Sequence, residues 1–238
     1  MTGTAPIAVA LDAHDLETAS AWARAVEPHV STLKIGLELF CRFGPEAVAS
    51  VRGGSRIDLF LDLKIHDIPN TVAGAVRSVA RLRPTYLTVH ALGGRAMIEA
   101  AAEQLPDGKI TAVTVLTSLD DSDLTELGLA GKPGDAVRRL AVMSVSAGAR
   151  AIVCSAREVA AVRAEVGPDI TLITPGVRTA GADAHDQARV ATPEQALSDG
   201  ANLLVIGRQI TDAADPGAAA ASLAAAIRRF SRAAQASS

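Results

Sequence analysis

Eight short runs rich in β-branched residues recur along the 238-residue chain, each followed by an Ala-rich stretch with helical spacing. They read as strands at Ile7–Asp12, Thr32–Gly36, Ile57–Lys64, Thr85–His90, Ile110–Thr117, Ala151–Cys154, Ile170–Thr174 and Leu203–Gly207. Strands separated by helices pair in parallel, because a crossover helix brings the chain back to start the next strand in the same direction. Eight such units in a chain of this length predict an α/β fold, a (β/α)8 TIM barrel in which residues 1–238 make a single domain. No Pro/Gly/Ser-rich linker divides the chain, and nothing repeats beyond the βα alternation.

Helix starts fall where the alternation requires them. Asp15 precedes Leu16–Val26, Pro69 stands near the start of Asn70–Leu82, Pro133 precedes Gly134–Ala147 and Pro193 precedes Glu194–Ser198. The interval Asp120–Gly134 is longer and more polar than a simple connection and reads as a mobile loop over a site. Residues 212–236 form an Ala-rich closing helix with Leu223, Ile227 and Phe230 at helical spacing.

Composition narrows the class. With 49% hydrophobic and 21% charged residues the chain can bury a full core, which excludes a disordered protein. A formal net charge of −3 without a dense Lys/Arg run argues against a nucleic-acid partner. No stretch offers the roughly 20 uninterrupted apolar residues that would span a bilayer, and Met1–Pro6 lacks a leader-like pattern, so the expectation is a cytoplasmic protein without a membrane partner. Cys41 and Cys154 are too few for a disulfide framework and lack the spacing of a metal site; both read as buried thiols.

Side chains alternate across a strand, so one set in a barrel meets the helices and the other enters the lumen. In Ile57–Lys64 the apolar set is Ile57, Leu59, Leu61 and Leu63, which directs Asp58, Phe60, Asp62 and Lys64 inward. The same sorting sends Ala8, Ala10 and Asp12 inward on the first strand, Lys34 on the second, and Tyr86, Thr88 and His90 on the fourth. Their polar members gather at the carboxyl ends of strands, where barrel enzymes build their sites. A structural ion-pair network is the plainer alternative for these charges, a helix cap for Asp12, and a satisfied core histidine for His90, which stays outside the catalytic set.

Pro175-Gly176-Val177-Arg178 and Gly207-Arg208 follow the seventh and eighth strands, where barrels most often bind phosphate. Glycine lets backbone N–H groups approach an anion, and Arg208 adds a forked cation suited to phosphate oxygens. Together with the charged mouth they imply a phosphorylated small molecule. Asp183, His185, Asp186 and Gln187 form a polar loop without metal-ligand spacing, so no metal is expected.

The stretch Leu61-Asp62-Leu63-Lys64-Ile65-His66-Asp67-Ile68-Pro69-Asn70-Thr71 closely resembles the active-site signature of bacterial orotidine 5′-phosphate decarboxylases. Asp-x-Lys-x-x-Asp is shared by a wider superfamily, whereas the continuation His-Asp-Ile-Pro-Asn-Thr narrows the match. The resemblance continues in order through Ala10-Leu11-Asp12, Leu33-Lys34-Ile35-Gly36, Val115-Leu116-Thr117-Ser118, Thr174-Pro175-Gly176-Val177-Arg178 and Ile206-Gly207-Arg208.

What this resemblance implies is a decarboxylase that converts orotidine 5′-phosphate to UMP, the last step of pyrimidine nucleotide synthesis, without a cofactor. Lys64, Asp62, Asp67 and Lys34 would carry the catalysis. Asp12 and Lys34 would bind the ribose hydroxyls, Asp62 and Lys64 would stand at the reacting carbon, and Thr117 would contact the pyrimidine. Pro175, Arg178, Gln187, Gly207 and Arg208 would hold the phosphate and close the pocket. Asp67, Ile68 and Thr71 would reach across a homodimer into the neighbouring subunit's site, although Asp67 two residues before Pro69 also suits a helix cap.

Two other readings stay open. A metal-dependent sugar-phosphate decarboxylase or synthase shares the Asp-x-Lys-x-x-Asp pattern, but there the second strand typically ends in an acidic metal ligand where this chain has Lys34. A non-catalytic barrel that binds a phosphorylated metabolite would have no need to concentrate Asp62, Lys64 and Asp67.

Overall fold

The computed structural model describes residues 4–129, 133–177 and 191–236. Eight parallel strands close into a barrel in sequence order. The first is β1 (Ala5–Ala10), followed by α1 (Leu16–Val26), β2 (Val30–Gly36), α2 (Leu37–Phe43), α3 (Pro45–Arg52) and β3 (Asp58–Ile65). Then come α4 (Pro69–Ala80), β4 (Tyr86–His90), α5 (Arg95–Glu103), β5 (Lys109–Val113), α6 (Asp121–Glu126) and α7 (Pro133–Ser146). The remainder is β6 (Ala151–Val153), α8 (Val159–Val166), β7 (Thr171–Thr174), α9 (Pro193–Ser198), β8 (Leu203–Ile206), α10 (Arg208–Thr211) and α11 (Pro216–Ala236). Among the described residues no helix is long and apolar enough to cross a membrane.

Local chemistry sets the helix boundaries. Asp15 caps α1 by accepting the Thr18 N–H at 2.7 Å, and Ala19, Ala23 and Val26 bury the inner face of that helix. Pro69 opens α4 and Pro193 opens α9, where a missing N–H costs nothing, and Thr192 caps α9 through the Gln195 N–H. In α11, Leu223 and Ile227 turn into the core.

The lumen is filled by side chains of unequal size. Ala8, Phe60, Tyr86, Ala151, Ile173 and Leu203 pack as one cluster, with small residues set against large ones. Phe60 meets Tyr86 edge-on with ring centroids 5.8 Å apart. This plug makes a floor, and truncating a buried phenyl such as Phe60 to alanine costs about 3–5 kcal/mol. The outward set, Leu59 and Leu61 among them, packs beneath the helices. Both faces of β3 thus match the alternation up to Asp62.

Three expectations need correction. The fifth strand ends at Val113 rather than Thr117: the Thr114 N–H to the Val153 carbonyl, at 3.2 Å, is the last rung to β6, which itself ends at Val153, and the Thr114 hydroxyl reaches the same carbonyl at 3.0 Å. Asp120–Gly134 is not wholly loop. Asp120 and Asp123 form a capping box that starts α6, and Leu124 is buried beneath it. Cys41 is exposed on α2, whereas Cys154 is buried as expected.

Candidate active site

At the carboxyl end of the barrel, four charged side chains form an alternating row. Lys34 Nζ lies 3.5 Å from Asp12 Oδ1 and 3.4 Å from Asp62 Oδ2, and Lys64 Nζ donates to Asp62 Oδ1 at 2.8 Å. Asp62 therefore offers one oxygen to each lysine. The side chains of Lys34 and Asp62 are only 8% and 14% exposed, so neither charge would be stable there alone. Removing one partner from such a pair typically costs about 3–5 kcal/mol. Burial works against ionisation of Asp62, but Lys34, Lys64 and hydrogen bonds from Lys64 and Thr88 outweigh it and hold the carboxyl below its usual range.

Strand alternation explains Asp62 but not Lys64. Between Leu61 and Ile65, β3 advances four residues while its partner β4 advances two, from Leu87 to Val89, so β3 carries a bulge. Within it Lys64 has φ +47°, in the left-handed region that costs a non-glycine residue on the order of 1–3 kcal/mol. The Lys64 N–H donates to Thr88 Oγ1 at 2.8 Å. Lys64 thus faces the lumen as expected, though a bulge and not a regular pleat puts it there.

The row borders a cavity of about 300 Å³. Its lining also includes Thr117, Pro175, Gly176, Gly207 and Arg208, all read from the sequence, together with Gln209, which was not. Gly176 sits at φ +73°, a conformation suited to glycine. The remaining wall is apolar and includes Val115, Leu116, Val153, Val177 and Ile206. Cys154 also lines it, its thiol pushed up to about 12 chiefly by burial, so it is no nucleophile at neutral pH. Val115, Leu116, Val177 and Ile206 fall within the stretches quoted from the sequence, whereas nothing local distinguished Val153 and Cys154 from ordinary core. Arg178 and Gln187 lie outside the described residues, as do Asp183, His185 and Asp186.

Asp67, Ile68 and Thr71 are not brought to this cavity within one chain. All three are exposed, Ile68 to 67%. Asp67 does not cap α4: its Oδ1 accepts the adjacent Ile68 N–H at 2.7 Å, and the cap position itself is Ile68. Asp12 does not cap α1 either, since Asp15 does. His90 stays outside the cavity lining, its ring 5.5 Å from that of His66.

The family model described as Orotidine 5′-phosphate decarboxylase / HUMPS family matches residues 5–223. A curated relative from Thermobifida fusca named orotidine 5′-phosphate decarboxylase is 68% identical over 225 residues, covering 94% of this chain and 97% of its own. One of the same name from Frankia casuarinae is 56% identical over 98% of this chain and 91% of its own. The crystal structure of orotidine 5′-phosphate decarboxylase from Lactobacillus acidophilus superposes with a TM-score of 0.79 at 34% identity, covering 95% of this chain and 98% of that one.

Proposed function

The chain belongs to the Orotidine 5′-phosphate decarboxylase / HUMPS family, and we propose that it removes CO2 from orotidine 5′-phosphate to give UMP, with Lys64 as the proton donor and no cofactor. In pyrimidine synthesis this is the final step. The observation that carries the reading is the row Asp12–Lys34–Asp62–Lys64 beside a cavity of about 300 Å³.

Breaking the bond from C6 to the carboxylate leaves an electron pair in the plane of the pyrimidine, where the ring π system cannot delocalise it. A fixed cation at that point lowers the barrier, because the charge is already oriented and little solvent has to rearrange. The Lys64 ammonium is anchored by Asp62 at 2.8 Å and stands at the cavity edge. As CO2 leaves, one proton passes from Nζ to C6, and the neutral amine recovers a proton from solvent; substrate plus one proton becomes UMP plus CO2. Asp12 and Lys34 would hold the ribose hydroxyls. Gly176, Gly207 and Arg208, in the lining of the same cavity, would hold the phosphate, whose binding energy can be used to place the base.

We take the working unit to be a homodimer with shared sites. The exposed run Asp67–Thr71, with Ile68 bare of cover, supports it: Asp67 would enter the partner's cavity beside its lysine. The sugar-phosphate reading of the same family fares worse because Lys34 stands between Asp12 and Asp62, within 3.5 Å of both, where those carboxylates would otherwise face a divalent cation.

The test is incubation of purified protein with orotidine 5′-phosphate and a chelator while pyrimidine absorbance is followed. Undiminished conversion to UMP is expected. No conversion, or conversion that chelation abolishes, would overturn the reading.

A further inference from the structure

We propose that Thr88 is a positioning residue whose hydroxyl fixes Lys64 and Asp62 relative to one another and so sets where the proton donor stands. The inference rests on the function proposed above. Thr88 lies in the middle of β4 and is fully buried. Its oxygen accepts the Lys64 N–H at 2.8 Å, and its own proton has two acceptors in reach: Asp62 Oδ1 at 3.1 Å and the Leu61 carbonyl at 3.5 Å. A hydroxyl has one proton to give, and the nearer, charged carboxylate takes it. Asp62 Oδ1 is also the oxygen that receives Lys64 Nζ at 2.8 Å. One hydroxyl therefore closes a loop of hydrogen bonds that begins at the Lys64 backbone and returns to the Lys64 side chain.

The bulge explains why this position matters. Thr88 is the single β4 residue between Leu87 and Val89, opposite the stretch in which β3 carries its extra residues. The ladder that would satisfy the Lys64 N–H is interrupted there, and the hydroxyl replaces it. It also supports Lys64 in the left-handed conformation, which a lysine would not hold unaided. A threonine that merely filled the core would influence stability; one that closes this loop also governs the direction of Nζ.

The substitutions that separate these roles are Thr88→Val, which keeps the shape and removes the hydroxyl, and Thr88→Ser, which keeps the hydroxyl. Misplacement of a reacting group by about 1 Å costs on the order of 100-fold, so Thr88→Val should lower kcat for orotidine 5′-phosphate by that order while KM changes little. Thr88→Ser should retain most of the wild-type kcat. A crystal structure of Thr88→Val should show Lys64 out of the left-handed region or Nζ beyond hydrogen-bond distance of Asp62. Wild-type kcat in Thr88→Val, or an equal loss in Thr88→Ser, would overturn the proposal. If Thr88→Val does not fold, Thr88→Ser and Thr88→Ala, which differ by one oxygen, give the same comparison. Should the wild-type protein fail to consume orotidine 5′-phosphate, the functional reading alone falls; an unmoved Lys64 in Thr88→Val crystals would still refute the positioning role.

Discussion

Gly36 leaves the Asp12 carboxylate the space it occupies: a Cβ on Gly36 would stand 2.6 Å from Asp12 Oδ1 and 3.1 Å from Lys34 Nζ. The backbone there is extended, with φ −90° and ψ −177°, so alanine meets no conformational penalty and only the collision acts. Gly36→Ala should fold with a near-normal melting temperature and lose kcat/KM for orotidine 5′-phosphate on the order of 10- to 100-fold, because the first carboxylate of the charged row is displaced. An unchanged kcat/KM would show that the row tolerates that displacement.

Lys64→Ala removes the ammonium and leaves Asp62 with Lys34 and the Thr88 hydroxyl. The variant is expected to fold while losing nearly all decarboxylation, since the other ammonium of the row, Lys34, is held between Asp12 and Asp62. UMP affinity, measured by calorimetry, should fall far less than kcat. Near-normal turnover would remove Lys64 from the mechanism.

Asp67→Asn and Lys64→Ala subunits, each expected to be inactive alone, should complement one another when mixed if the proposed dimer shares its sites. A heterodimer joins the intact Lys64 of one chain to the intact Asp67 of the other in one of its two sites, so random mixing should restore roughly a quarter of wild-type sites. Verified heterodimers without activity would place Asp67 in the site of its own subunit.

His90 predicts a pH dependence of stability. Burial, then the nearby His66 and Lys64, push its titration below the usual histidine value, and Asp62 only partly opposes them. The folded state thus binds its proton less readily than the unfolded chain, so stability present above the ordinary value of 6.5 is lost as pH falls through the lower folded value. Denaturant midpoints should decline from about pH 6.5 downward, and His90→Gln should flatten that slope. Equal slopes in the two proteins would assign the acid sensitivity elsewhere.

Much of the barrel was legible because its rules are local. The alternation of Leu59, Phe60, Leu61 and Asp62 follows from the two-residue period of an extended chain, and Lys34 was placed by the same reasoning, whereas Asp12 reaches the cavity from two residues beyond the end of β1. The eight-strand count needed only the spacing of apolar runs. The end of β5 was not legible: Thr114 favours strand by type, and the partner strand β6, whose end at Val153 closes the pairing, lies 39 residues away.

The amino-acid order by itself determined the barrel, the gathering of acids and lysines at one mouth, and the glycines near the cavity. Only the tertiary structure decided that Lys64 reaches Asp62 from a bulge in a left-handed conformation, and that Asp67 binds the adjacent Ile68 N–H instead of capping α4. The reason is physical. Periodicity reports which face a residue takes when its strand is regular, whereas a bulge arises from the mismatch between two neighbouring strands and from a buried hydroxyl, Thr88, that satisfies the N–H the mismatch leaves behind.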